Sequence, residues 1–271
     1  VRLFLMRYSA CRQAAVAGRF YPSHPDRLRQ QVQELIERAS PRCHPAPPEA
    51  IIVPHAGYRY SGAVAASAYQ CLQPAAHRIK RVVLLGPSHY LAFAGLALSH
   101  YQQFTSPLGA LAVDRAACER IQSLPQVKVL EAAHAREHCL EVQLPFLQIA
   151  LPEVVIVPLV VGSAAPEAVA EILTLLWNQA TLVLVSSDLS HYLSYAAARV
   201  VDARTCRKIE QFDYTQLQPE EACGAQAIAG LLQAAGKRGL RASTLDLRNS
   251  GDTAGSKDSV VGYGAWSFAA A

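Results

Sequence analysis

Three apolar runs in this chain end in the same way, and that repetition narrows the fold more than any other feature. Ile51-Ile52-Val53 runs into Pro54-His55-Ala56-Gly57-Tyr58, Val82 to Leu85 runs into Gly86-Pro87-Ser88-His89, and Leu182 to Val185 runs into Ser186-Ser187-Asp188-Leu189-Ser190-His191. Continuous Val/Ile/Leu runs of this length are apolar on both faces, which suits inner strands of a helix-covered parallel sheet. Ligands of such sheets gather beyond the carboxyl ends of the strands. Strands ending in His55, His89 and Asp188/His191 would therefore aim their polar groups at one crevice.

The remaining segments supply the cover. Leu28, Val32, Leu35, Ile36 and Ala39 follow Ser23 with the spacing of a one-sided helix, which the prolines between Pro41 and Pro48 end. Ala63 to Cys71 is a small-residue helix able to lie close to the sheet. Further helices are expected from Asp114 to about Ser123, Glu167 to Trp177, Ala196 to Phe212 and Ala225 to Ala235. Leu140, Leu144, Leu147 and Leu151 keep helical spacing, with Pro145 marking a kink or a helix start. Shorter strands are expected at Gly95–Ser99 and Val127–Leu130, an outer one at Arg241–Leu247 and a last one at Val260–Phe268. Val154 to Val161 reads as a buried strand although Pro158 lies inside it. Tyr101–Gly109 and Asn249–Asp258 read as loops. The sum is one α/β domain over residues 1–271, with a mixed, largely buried sheet flanked by helices.

A chain of 271 residues that is 51% hydrophobic and 17% charged can build such a core without a staple. The formal charge of +4 is small and the basic residues are scattered, so no nucleic-acid surface is expected. No stretch is apolar enough for a membrane span, and the run before Arg7 is too short for a signal peptide. Met6 is the only methionine, and the residues before it carry no structural weight. Seven widely spaced cysteines without a C-x-x-C pair argue against a disulfide framework and fit a reducing, cytoplasmic location.

Two histidines and a carboxylate at the strand ends suit a first-row metal with open positions, as in non-haem iron oxygenases, and zinc accepts the same set. From spacing, Asp188 is the anionic donor. His191 is a further ligand or a proton carrier, histidine being the side chain that ordinarily titrates near neutrality. His134-Ala-Arg-Glu137-His138-Cys139-Leu-Glu141 offers a second arrangement. On a helix, His134 and His138 would share a face as a local chelate; the plainer reading is a polar helix start with Glu137 at its positive end, or a supporting role beside the main site. Cys223 precedes a helix, where a thiol is more easily ionised, though Glu220 and Glu221 oppose this and a buried inert cysteine is the plain alternative.

Taken together these residues resemble a known family. Ala14-Ala15-Val16-Ala17-Gly18-Arg19-Phe20-Tyr21-Pro22, Pro54-His55-Ala56-Gly57-Tyr58, Leu85-Gly86-Pro87-Ser88-His89, the stretch from Glu137 to Phe146, Ser186 to His191, Cys223-Gly224 and Ser259-Val260-Val261-Gly262-Tyr263 are similar to the successive motifs of the MEMO family. Its prokaryotic members are called AmmeMemoRadiSam system protein B. The match begins near Gln13. The resemblance implies a fold like the catalytic subunit of class III extradiol dioxygenases. It also implies a metal held by His55, His89 and Cys223, with Asp188 and His191 lining the site and His138, Glu141 and Tyr58 around it. The thiolate thus takes the place that spacing assigns to Asp188. The implied cofactor is Fe(II), with Cu or Zn accepted by the softer set. The implied activity is oxygen chemistry on an unknown small substrate. The alternatives are a metal-binding or redox protein acting with AMMECR1-like and radical SAM proteins, and a peptide-binding module using the same crevice. Cys139 departs from the family pattern, which has serine there.

Overall fold

A computed structural model of the chain describes residues 11–270. The expectations for residues before Met6 lie outside the described residues. In chain order the strands are β1 (Cys11–Arg12), β2 (Ala50–Val53), β3 (Arg81–Pro87), β4 (Leu96–Leu98), β5 (Gln103–Ser106), β6 (Gly109–Ala112), β7 (Val127–Val129), β8 (Val155–Val161), β9 (Thr181–Ser186), β10 (His191–Leu193), β11 (Leu240–Asn249) and β12 (Val260–Ala270). The helices are α1 (Pro25–Arg38), α2 (Tyr58–Gln70), α3 (Arg115–Gln122), α4 (Glu131–Ala135), α5 (Leu144–Ala150), α6 (Pro166–Leu176), α7 (Tyr195–Glu210), α8 (Ala225–Lys237) and α9 (Ser250–Thr253).

Nine strands form a mixed sheet in the order β10-β12-β2-β9-β3-β8-β4-β7, with β11 along the other side of β12. The four inner strands β2, β9, β3 and β8 are parallel, and β12 joins them antiparallel through Trp266–Phe268. Every residue of β2 and β9 is buried, as their unbroken apolar runs require. Helices α1, α2 and α5 pack together on one side, and α6 and α8 pair on the other. Helix α2 carries the chain from β2 to β3, and α6 from β8 to β9.

Pro158 sits in β8 at no cost to the ladder. The Val155 amide donates to Lys80 O on the β3 side, so by alternation the nitrogen of residue 158 faces away from β3. On that far side, β8 makes a bridge at Ile156 and pairs with β4 only from Val160, leaving the proline position free of a pairing demand.

The expected loop at Asn249–Asp258 holds a short helix, α9 (Ser250–Thr253), and three further features differ from the sequence expectations. Residues 101–109 are not a plain loop, because β5 and β6 form a hairpin that adds β1 to make a small three-stranded sheet. The alternation that buries Phe104, and the Pro107-Leu108-Gly109 turn, are the local signal; the pairing itself depends on a segment some ninety residues away. His191–Leu193 is a short strand on the edge of β12. Cys43 and Cys71 form a disulfide joining the proline-rich connection to the end of α2, which the wide cysteine spacing does not foretell. No described helix is long and apolar enough to cross a membrane.

Candidate metal centre

Strands β2, β9 and β3 are neighbours in that order, so their carboxyl ends open onto one crevice. His55 leaves β2 fully buried. Its amide donates to Asp188 Oδ1 at 2.7 Å, and its Nδ1 lies 3.0 Å from Ser186 Oγ. The Ser186 hydroxyl gives its one hydrogen to Cys139 O at 2.7 Å and already accepts from Gln143 Nε2 at 2.9 Å. Ser186 can therefore only accept from His55, whose Nδ1 must carry the proton. The bare nitrogen is Nε2, which faces Cys223 Sγ at 3.4 Å. Tyr69 extends this buried chain by donating to Gln143 Oε1 at 2.9 Å.

Cys223 reaches the crevice from the turn before α8. Its amide donates to Asp188 O at 3.2 Å, and the next amide, Gly224 N–H, donates to Ser187 Oγ at 2.9 Å. A β-carbon on Gly224 would stand 2.8 Å from the Ser187 Cβ, so this approach needs glycine. His89 follows β3, and His138 comes from the turn after α4. Ring centroids lie 5.2 Å apart for His55 and His89, 5.5 Å for His55 and His138, and 4.6 Å for His89 and His138. The nitrogens these three rings offer lie within 4.8 Å of one another. His89 and His138 stack face to face, with 27° between their planes.

Burial, and then the nearby His89, depress His55 to about 3. Burial, and then His55, depress His138 to about 4. Both rings are thus neutral near pH 7 with lone pairs available. Burial raises the Asp188 carboxyl, partly opposed by the His55 amide. Burial and then Asp188 push the Cys223 thiol up to about 12. Neutral imidazoles beside a thiol that stays protonated until a cation compensates it form a donor set suited to a borderline or soft transition metal.

The other expected residues take definite places. Asp188 braces the His55 backbone. His191, partly exposed on β10, stands at the crevice edge. Tyr58 opens α2 and donates to Val142 O at 2.7 Å, away from the imidazoles. Glu141 accepts from the Arg12 guanidinium, Ala15 N, Val16 N and Tyr21 OH, and so fastens the segment whose Phe20 ring rests 4.8 Å from His138. Its support of the crevice is indirect. The His134/His138 chelate does not form, because α4 ends at Ala135. His134 is buried with Nε2 on Ala97 O at 3.0 Å, while His138 turns into the crevice. Cys139 is fully buried with its thiol on Pro87 O at 3.2 Å, and burial raises it well above the ordinary range, so it is a protonated hydrogen-bond donor.

Spacing passes over the supporting residues Ser186 and Gln143, since polar residues at strand ends and turns are common. It also passes over two tyrosines. Tyr90 and Tyr192, 50% and 78% exposed, each directly follow a crevice histidine. Tyr192 has φ of +58° where β10 loses register with β12, a backbone conformation costly for a bulky residue and often kept at functional sites. A groove of about 500 Å³, lined by Leu91, Phe93, Val161 and Gln226 among others, leads to Cys223.

The family described as Memo-like protein matches residues 12–267. A MEMO1 family protein of Sulfolobus acidocaldarius is 35% identical over 273 residues, covering 92% of this chain and 96% of the relative. One from Methanosarcina barkeri is 36% identical over 268 residues, covering 94% and 98%. One from Aquifex aeolicus is 33% identical over 264 residues, covering 93% and 97%. The solved structure of an uncharacterized protein from Escherichia coli K12 aligns with a TM-score of 0.47 at 13% identity, covering 79% of this chain and 98% of that one.

Proposed function

The chain belongs to the Memo-like protein family, and from that premise and the crevice geometry we propose that it binds a transition metal through His55 Nε2, His89 and Cys223 Sγ. The observation that carries this reading is the contact between a bare His55 nitrogen and a protonated Cys223 thiol, 3.4 Å apart, with His89 and His138 offering nitrogens within 4.8 Å of that of His55. Iron(II) bound there would supply a redox-active Lewis acid with open positions, whereas Zn or Cu would serve the same donors differently. The finer reading is a dioxygenase-like oxidoreductase acting on a small substrate. In it, Asp188 and Ser186 hold His55, His191 gives or takes the substrate proton at the open edge, and the groove beside Cys223 admits the substrate.

The exposed Tyr90 and Tyr192 favour a second reading. Aromatic side chains left in water at a site mouth suit docking of a macromolecule, so the metal centre would work through a peptide or protein partner, AMMECR1-like and radical SAM proteins being the candidates.

Elemental analysis of anaerobically purified protein, beside His89→Ala and Cys223→Ala, tests the common core of both readings. One equivalent of metal in the parent protein, lost in both variants, is the expected result; protein that takes up no metal under any condition would sink it. Oxygen uptake by the iron form, measured against candidate substrates, then separates an oxygenase from a partner-acting protein.

A further inference from the structure

Glu137 is one of the most buried charges among the described residues, 2% exposed. It lies in the turn between α4 and the stretch carrying His138 and Cys139. Its Oε2 accepts from His89 N at 2.7 Å, and its Oε1 accepts from His138 N at 2.9 Å and Cys139 N at 3.1 Å. The fourth contact is to a side chain: His89 Nδ1 lies 2.8 Å from Oε1. Backbone amides only donate, so both carboxylate oxygens are acceptors, and His89 must bring its own hydrogen on Nδ1.

We propose that Glu137 is the positioning residue of the metal centre: its carboxylate grips His89 by both backbone and ring, locks the ring as the Nδ1–H tautomer, and thereby turns a bare Nε2 toward the crevice. The proposal rests on the metal-binding reading for its purpose, but the tautomer can be observed without metal. The two ligand histidines are held by different chemistry. His55 leans on a neutral hydroxyl, Ser186, whereas His89 leans on an anion, and a carboxylate behind a ligating imidazole makes it the more basic donor. The same oxygen lies 3.3 Å from His138 Nδ1 without forming a hydrogen bond to it, so of the two neighbouring rings the carboxylate holds only that of His89.

A glutamine at this position keeps the shape but cannot keep the pattern. Its NH₂ must face either the His89 amide or the cluster of His89 Nδ1, His138 N and Cys139 N, and each choice opposes donor to donor. Aspartate keeps the charge and loses reach.

Nitrogen-15 histidine spectra of the metal-free protein at pH 8 read the tautomer directly. In the parent protein His89 carries its hydrogen on Nδ1 with Nε2 bare. In Glu137→Gln, His89 gains the Nε2–H form while His55 is unchanged. Cobalt(II) affinity, measured by chelator competition, then falls about 10- to 100-fold in Glu137→Gln, and Glu137→Asp recovers part of the loss. An unchanged His89 tautomer together with unchanged cobalt affinity in Glu137→Gln overturns the proposal. Should that variant fail to fold, the parent spectrum still decides, because an Nε2–H or freely exchanging His89 in the parent protein is equally fatal. A parent protein with the expected tautomer that binds no cobalt would leave the positioning role standing and remove the metal-binding reading instead.

Discussion

Replacing Arg12 by methionine tests the anchor behind the crevice. Arg12 and Glu141 are 2% and 0% exposed, and the guanidinium also donates to the carbonyls of His134, at 3.2 Å, and Glu137. Methionine roughly fills the volume but leaves a buried carboxylate without its counter-charge and two carbonyls without donors. Removing one partner of a buried ion pair costs about 3–5 kcal/mol. Ala15 N, Val16 N and Tyr21 OH still hydrogen-bond to Glu141, which places the expected loss at the lower end, about 3 kcal/mol. That is a large part of the 5–15 kcal/mol of an ordinary domain. Urea titrations followed by circular dichroism should show a clearly lower midpoint for Arg12→Met. Arg12→Lys should lie between, because an ammonium cannot span a carboxylate and two carbonyls at once. Adding Glu141→Gln to Arg12→Met should restore part of the stability, since the stranded charge is then gone. A loss under about 1 kcal/mol for Arg12→Met, or strictly additive losses in the double variant, would refute the claim that the pair is a coupled buried anchor.

Three further outcomes follow from the same structure. With its thiol pushed up to about 12, Cys223 keeps its proton in the metal-free protein, so metal binding must expel it; affinity should rise about tenfold per pH unit between roughly pH 7 and 9, and Cys223→Ser should flatten that slope in chelator competition. His134, depressed by burial from 6.5 to about 4, stays neutral in the fold while the unfolded chain takes a proton below 6.5. Its stabilising share is complete above that pH and shrinks as the pH falls toward 4, by about 3 kcal/mol at 1.36 kcal/mol per pKa unit; His134→Gln should make the urea midpoint less dependent on pH across this window, and an identical pH profile would contradict it. Replacing Cys43 and Cys71 by serine frees a 28-residue loop, which should cost about 3.5 kcal/mol by loop entropy while leaving metal content unchanged.

The inner sheet was the most legible part of the chain. β2, β3 and β9 announce themselves because a strand covered on both faces has to be apolar at every position, and few other elements tolerate that pattern. The helices around them follow from one-sided spacing, and Asp114 caps α3 as its position suggests, accepting from Ala117 N. The hairpin at 103–112 and the β10 edge were harder to see. Their strands are short and half polar, and β1 and β12, which complete their pairing, come from distant parts of the chain. The candidate site divides in the same way. His55, His89 and Asp188 are read from strand ends, whereas the approach of Cys223 to His55 joins residues 168 positions apart, which spacing cannot measure and family resemblance supplies.

Sequence alone settled which strands are central and which histidines stand at their ends, because burial on two faces and the carboxyl-end rule are written in local composition. Tertiary structure decided the rest. It separated His134 from His138 by ending α4 between them, sent Glu141 to the N-terminal segment and set Glu137 behind His89. The reason is physical: a hydrogen-bonded carboxylate is defined by which donors arrive from other parts of the chain, and those donors are mostly backbone amides, which every residue carries and no sequence pattern marks.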